Sequence, residues 1–438
     1  MKKDKNVLII FCDQLMRYAI GCMDNPEVDT PNIDRLANRG TLFKNAYTTT
    51  PVCSPFRANL VSGLYNLETG ADANCCVLPE GCHSLISNFN QAGYQTGFVG
   101  KWHIGTGGNR AIEEKYRADF KNFIGYQCFN SFYEDVWFFD EENRKHEFDK
   151  HRTDVTADIA IDRLQQLTDD PFLMVVGFQA PHYPEQPAPR FDNMYRGKKV
   201  TPRPNYTGIS PYIPTVFPKS SKPIEKCPDY RRYGEDIHEY LRCYYALCTQ
   251  IDYNVGRILD ELEESGKMDD TIILFTSDHG DMAGSHGRNG KAVSYEESAG
   301  IPLIISGPGV PQGLRVSAAL DSSSFLPTCM DLVGIDMPEN IKPRSRIDLF
   351  ENPHANTSAF SCFKQKEWCM IKKGSKKLTI NVDTLEPQSL YELKYDPYEM
   401  NNLVDTQMNE SYATEMLSEL IQWKNDCISF QEENFNLS

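Results

Sequence analysis

The chain has 438 residues, 40% of them hydrophobic, enough to bury a large core and to be read as one big domain with an appendage. A formal net charge of −16 argues against nucleic acid and anionic membrane surfaces as partners. No apolar run approaches the roughly 18 residues of a membrane span, and Met1 to Lys5 pass directly into an apolar segment with no signal peptide, which predicts a cytoplasmic protein.

Four hydrophobic runs, each long enough for a buried parallel strand, end in polar groups. Val7 to Cys12 leads into Asp13-Gln14, and Thr96 to Val99 into Gly100-Lys101-Trp102-His103. Phe172 to Phe178 leads into Gln179-Ala180-Pro181-His182, and Thr271 to Thr276 into Ser277-Asp278-His279-Gly280. Between the first two runs, Thr30 is placed as N-cap of a helix with Pro31 at its first position and Gly40 as its stop. Cys53-Ser54-Pro55-Phe56-Arg57 stands at the start of another helix, which would set the Cys53 side chain near free N–H groups and a positive helix end. A long helix from about residue 235 to 265 carries Leu241, Tyr244, Cys248, Ile251, Val255, Ile258, Leu259 and Leu262 at helical spacing and stops at Gly266. That stripe is read as core.

From about residue 350 the pattern changes to short strands (357–363, 368–371, 376–380 and 389–393) and a final amphipathic helix around Tyr412 to Cys427. The expected organisation is α/β, a large mostly parallel sheet flanked by helices over residues 1–345, followed by a smaller antiparallel sheet with a helix over 346–438. In open parallel sheets, ligands bind beyond the carboxyl ends of the strands. Four polar strand ends therefore predict one pocket.

That pocket would gather Asp13, Asp278, His103, His182, His279, Lys101, Lys291 and the Cys53–Arg57 pair. Asp13, Asp278 and His279, with Gln14 as an oxygen donor, suit a hard divalent cation: Ca²⁺ first, with Mn²⁺ as the alternative that an imidazole ligand admits. The fourteen cysteines lack paired zinc-knuckle spacing and are read as reduced core thiols.

These motifs, in this order, resemble the type I sulfatases of the alkaline phosphatase superfamily over nearly the whole chain. The resemblance rests on residues 6–14, 30–40 and the C-x-P-x-R pentapeptide, then Leu60-Val61-Ser62-Gly63, Gly100 to Gly105 and Pro181 to Pro184. It continues through Ser277 to Asp281, Gly284-Ser285-His286-Gly287, Lys291, Tyr295-Glu296, Pro302-Leu303 and, near the end, Leu390 to Leu393, Asp396-Pro397 and Asn402-Leu403.

The resemblance implies an alkaline phosphatase-like fold and hydrolysis of an organic sulfate ester, either a sulfated carbohydrate or an aryl or alkyl sulfate. Cys53 would be oxidised to formylglycine, whose hydrate attacks sulfur. The maturation partner would be a formylglycine-generating enzyme or an anaerobic radical SAM enzyme. One divalent metal, Ca²⁺ or alternatively Mn²⁺, would be held by Asp13, Gln14, the Cys53-derived group, Asp278 and His279. Arg57 would hold the modified residue; Lys101 and Lys291 would neutralise sulfate; His103 would serve as base; and His182 with Lys291 would protonate the leaving oxygen.

Gln14 replaces the commoner second Asp, and His279 stands where some members carry Asn, both also found in phosphonate monoester hydrolase-like branches. A phosphonate monoester or phosphodiester hydrolase is therefore the alternative reading. Phe56 replaces the usual small residue. Glu296 is read as structural, and His286 as either a supporting or a turn-forming residue. The Pro-rich stretch 185–232 is a candidate lid, and the aromatics of Tyr126 to Phe139 are read mostly as core. A homo-oligomer is left open.

Overall fold

The computed structural model describes residues 5–105, 107–108, 110–128, 131–206, 236–338, 341–342 and 344–435. Ten strands build the main sheet: β1 (Asn6–Asp13), β2 (Gly40–Tyr47), β3 (Gln95–Lys101), β4 (Asn122–Tyr126), β5 (Trp137–Phe139), β6 (Lys145–Glu147), β7 (Phe172–Pro181), β8 (Thr271–Ser277), β9 (Gly300–Ser306) and β10 (Leu314–Asp321). Their order is β10-β2-β9-β8-β1-β7-β3-β4-β5-β6. The run β8-β1-β7-β3-β4 is parallel, while β9 lies antiparallel to both of its neighbours. The fold is α/β with a mixed, mostly parallel sheet.

The four expected strands are the four central ones, because continuous apolar runs fit only positions covered on both faces. Every residue of β1 is buried. Leu8, Ile10 and Cys12 pack with Ile33 and Leu36 of α1 (Pro31–Arg39) and with the core stripe of the long helix on one face. Val7, Ile9 and Phe11 pack with Phe56, Leu60 and Val61 of α2 (Cys53–Ser62) on the other. The period of two along the strand thus serves two helical layers.

Helices α3 (Arg152–Gln165) and α4 (Ile237–Glu264) cover the first face. The eight stripe residues of α4 are all buried, and Gly266 beyond its end takes φ +68°. Asp236 caps its start by accepting from the N–H groups of His238 and Glu239.

One sequence expectation at α1 is corrected. Thr30 precedes the helix but makes no side-chain cap; its Oγ1 accepts from Gly21 N at 2.7 Å instead. The cap comes from α4, where Asp252 accepts from Ile33 N at 2.7 Å and from Asn32 Nδ2 at 2.9 Å. Gly40 stops the helix as expected; it is extended and begins β2 directly. A Cβ there would meet Ile305 O at 2.2 Å, so glycine is required by the close approach of β9.

Burial raises the Asp252 carboxyl to about 6, against the two hydrogen bonds that lower it. A raised acid pKa means that the folded state binds the proton more tightly, so this group's contribution to stability falls as pH rises from about 4 to 6. Asp252→Ala is expected to cost about 1–2 kcal/mol by removing the cap of α1. In Asp252→Asn the wild-type loss of urea midpoint across that pH window should be reduced; an unchanged slope would show that Asp252 does not titrate there.

The second sheet, β11 (Ser358–Phe363), β12 (Trp368–Lys373), β13 (Lys376–Asn381) and β14 (Pro387–Glu392), is antiparallel in that order and lies wholly within residues 346–438. Helix α5 (Ser411–Phe435), longer than expected at both ends, buries Met416, Leu420, Trp423 and Cys427 against it. The ring of Trp423 stacks on Phe360 and meets Tyr65 edge-on. Among the described residues, no helix is long and apolar enough to cross a membrane.

Candidate active site

The carboxyl ends of β8, β1, β7 and β3 lie side by side and deliver the polar residues that follow each run to one place. A register shift sharpens this: Cys12 pairs with Phe178 but Asp13 with Pro181, so β7 accommodates extra residues at the rim and His182 turns back, its N–H donating to Asp13 O at 3.0 Å. From the other face, α2 begins at Cys53, and every residue of that helix is buried. The wide side-chain cluster therefore converges on the first turn of a helix.

At the centre, Arg57 Nη2 bridges Asp13 Oδ2 at 2.9 Å and Asp278 Oδ2 at 3.0 Å, while its Nη1 donates to Lys101 O and its guanidinium lies over the Phe11 ring. Lys101 Nζ sits 2.6 Å from Asp13 Oδ2. Cys53 Sγ lies 3.0 Å from Lys291 Nζ, 3.3 Å from His279 Nε2 and 3.6 Å from Asp13 Oδ1. His182 Nε2 is 4.0 Å from Asp13 Oδ1. Gln14 is adjacent: its Oε1 accepts from Lys291 Nζ at 3.1 Å, its Nε2 donates to Asp281, and its backbone N–H donates to Asp278 Oδ1 at 2.9 Å.

One atom from each of Asp13, Cys53, Asp278 and His279 falls within a 4.8 Å cluster, all four residues buried. The donor set fits a divalent cation on its own chemistry. His279 Nδ1 is 2.9 Å from Gly280 O, which assigns the ring proton to Nδ1 and leaves the Nε2 lone pair facing carboxylate oxygen, with Asp278 Oδ1 at 3.3 Å. Two acceptors turned on each other in a buried site are repulsive unless a cation lies between them. Burial and the neighbouring Asp13 raise the Asp278 carboxyl, which a cation would reverse. Asp13 is held well below the usual carboxylate range: burial raises it, but Lys101, His182 and Lys291 prevail.

Burial also raises the Cys53 thiol, yet the nearby Lys291, Lys101 and His279 carry it well below its ordinary value. Burial and the Lys291 cation depress His182 to about 4, and its Nδ1 is committed to Tyr183 O at 3.0 Å. It is neutral at pH 7, with Nε2 an acceptor beside the Cys53 thiol. His103 is lowered by burial, but the thiols of Cys128, Cys53 and Cys75 around its ring bring it up to about 10.

Several neighbours of the site carried no role in the sequence reading. Asp281 anchors Gln14 and accepts from Ala283 N at 2.6 Å; it closes the Ser277-Asp278-His279-Gly280-Asp281 motif, which was its available signal. Cys128 reaches the site from the segment after β4, where burial raises its thiol but Lys101 and His103 bring it to about 7. Nothing in its spacing marked it. Glu296 is structural: it pairs with Arg17, with Tyr47 Oη and with Lys377 Nζ of β13 at 3.0 Å. His286 stacks on Tyr295 with centroids 4.1 Å apart, and its backbone N–H donates to Asn205 O. Of the candidate lid, residues 207–232 lie outside the described residues. Among the aromatics of the 126–139 segment, Tyr126, Phe132 and Phe138 are buried and Tyr133 is exposed.

The mixed α/β sheet thus gathers a buried carboxylate–imidazole–thiol cluster at its strand ends, with the cations of Arg57, Lys101 and Lys291 around it. The family described as Sulfatase matches residues 5–335, and the C-terminal region of N-sulphoglucosamine sulphohydrolase matches residues 284–426. The chain belongs to the sulfatase family and is a sulfuric ester hydrolase.

It is 29% identical to an ulvan-active sulfatase of Formosa agariphila, with 95% of this chain and 80% of that protein covered. It is 27% identical to an N-acetylglucosamine-6-O-sulfatase of Bacteroides thetaiotaomicron, with 92% and 83% covered. The fold matches that of BT4656 in complex with its substrate D-glucosamine-2-N,6-O-disulfate, with TM-score 0.80, 24% identity and 99% of both chains covered. It also matches a phosphonate monoester hydrolase of Agrobacterium radiobacter, with TM-score 0.72, 20% identity, and 97% of this chain and 96% of that one covered.

Proposed function

We propose that the chain removes sulfate from a sulfated carbohydrate, using formylglycine made from Cys53 and one Ca²⁺, with Mn²⁺ as the alternative ion. The observation that carries this is the position of Cys53 at the first turn of α2, with Lys291 3.0 Å from its sulfur and the cluster of Asp13, Asp278 and His279 beside it. The likeness to relatives named for ulvan and for N-acetylglucosamine-6-O-sulfate supports a carbohydrate. Residues 1–345 would form the catalytic domain and 346–438 a subdomain clamped to it through Lys377 and Glu296.

The modified side chain, hydrated, supplies a hydroxyl nucleophile for sulfur, and the cation, held by Asp13, Gln14, Asp278, His279 and the residue-53 group, supplies charge for the sulfate oxygens. Arg57 fixes both carboxylates from the far side and thereby orients their remaining oxygens. Lys101 and Lys291 bring cations to a developing anion in a site closed to water. Lys291 and His182 would stand on the leaving-group side, with Lys291 carrying the proton because His182 is neutral, and His103, held protonated beside the Cys53 thiol, would serve as the base only once conversion to formylglycine removes that thiol.

All of Cys53 to Arg57 is buried, and Phe56 packs on Phe11 with centroids 5.8 Å apart. The departure at Phe56 is thus a core contact. A maturation enzyme, whether formylglycine-generating or radical SAM, would have to reach this segment before the chain folds.

The test is the mass of the Cys53 peptide from protein co-expressed with a maturation enzyme, together with turnover of an aryl sulfate and an aryl phosphonate. Support is a peptide about 18 Da lighter than its cysteine form, with sulfate turnover tracking the modified fraction. Full activity with unmodified cysteine would remove the nucleophile assignment, and faster turnover of the phosphonate would favour the phosphonate monoester hydrolase. Chelation is expected to abolish turnover and lower the melting temperature, with Ca²⁺ or Mn²⁺ restoring both. His279→Asn that stays active with Ca²⁺ would mark an oxygen-dominated site.

A further inference from the structure

In the small sheet, Cys362 of β11 and Cys369 of β12 are direct register partners, both buried, with their Sγ atoms 2.7 Å apart. The backbone of Cys362 shows which kind of pair they form. Its N–H donates to Thr49 O at 2.9 Å, and its carbonyl accepts from Thr50 Oγ1 at 2.8 Å and Asn66 Nδ2 at 3.3 Å. Neither group faces β12, so the two cysteines are a non-hydrogen-bonded antiparallel pair, the type in which Cα atoms approach to about 4.5 Å and side chains come closest. A disulfide needs Cα atoms about 4.4–6.8 Å apart. The backbone is already placed for closure.

We propose that Cys362 and Cys369 are an oxidative modification site that closes to a cross-strand disulfide with a peroxide as oxidant. One thiol sulfur attacks the peroxide O–O bond and takes one hydroxyl, forming a sulfenic acid, while its own proton passes to the departing hydroxide, which leaves as water. The second thiol sulfur then displaces the sulfenic hydroxyl, its proton goes to that group, and a second water leaves as the S–S bond forms. The two sulfurs give up two electrons and the peroxide accepts both. Full burial raises the Cys362 thiol and excludes bulky disulfides, which is why a small oxidant is required.

Closure reaches beyond the sheet. The same Cys362 backbone holds Thr49 and Thr50, the residues that lead through Pro51 and Val52 into Cys53. The disulfide would therefore brace the strand whose backbone holds the segment that presents Cys53.

The test uses the purified full-length protein, oxidised with hydrogen peroxide, then denatured, alkylated and digested with trypsin. Lys364 and Lys366 lie between the two cysteines, so they fall in different peptides. The expected result is a linked peptide pair that dithiothreitol separates, with a melting temperature several degrees higher. Both changes should be absent from Cys362→Ala and Cys369→Ala. Alkyl label on both cysteines after peroxide has fully oxidised the exposed Cys75 would overturn the proposal. If the variants do not fold, the wild-type peptide map decides alone, and no readout depends on sulfatase activity.

Discussion

Cys53→Ala is expected to fold as the wild type does and to lose turnover by about 10⁴-fold or more. The side chain is small, so the lost packing amounts to about 1 kcal/mol. Its neighbours also keep other partners: Lys291 retains Gln14 Oε1, and Asp13 retains Arg57 and Lys101. What disappears is the thiol whose oxidation makes the nucleophile, and no neighbouring group takes its place. Matched melting curves and aryl sulfate kinetics on the two proteins check this. Wild-type turnover in the variant would remove the proposed chemistry, while a collapsed melting transition would give Cys53 a structural role that these contacts do not predict.

Arg57→Ala is expected to do the opposite first, destabilising the protein by about 3–5 kcal/mol before activity can be judged. Asp13 and Asp278 are fully buried, and one guanidinium nitrogen serves both at 2.9 and 3.0 Å. Removing it leaves carboxylates whose charge must be supported chiefly by Lys101 and Lys291, with the Gln14 N–H on Asp278. Arg57→Lys should recover only part of the loss, because an ammonium cannot also occupy the fork that donates to Lys101 O. Urea midpoints compare the three proteins, and added Ca²⁺ should narrow the gap if the cation shares these carboxylates. Equal midpoints for wild type and Arg57→Ala would show that the two carboxylates do not depend on the guanidinium.

The contrast between these two variants follows from how the site is built. Cys53 and Arg57 belong to one pentapeptide and one helical turn, yet Cys53 lies against Lys291 and His279 while Arg57 ties two buried carboxylates together. Along the sequence they are equally prominent.

The central strands were legible before folding, because runs such as Val7 to Cys12 and Phe172 to Phe178 have no polar face and are stable only between two layers. So were the side chains that would stand at the strand ends, since a residue that directly follows a buried strand has nowhere else to go. The core stripe of α4 was legible for the same local reason.

Other features depend on partners distant in the chain and were not legible in this way. The cap of α1 is Asp252, 219 residues from Ile33, and no spacing near Thr30 could announce it. Gln14 is poised between Asp281 and Lys291, Cys128 joins Lys101 and His103, and Cys362 meets Cys369 while gripping Thr49. Periodicity and short motifs report how a segment is buried. The direction in which a buried polar atom points is set by which other segments pack against it, and that is fixed only when the layers close.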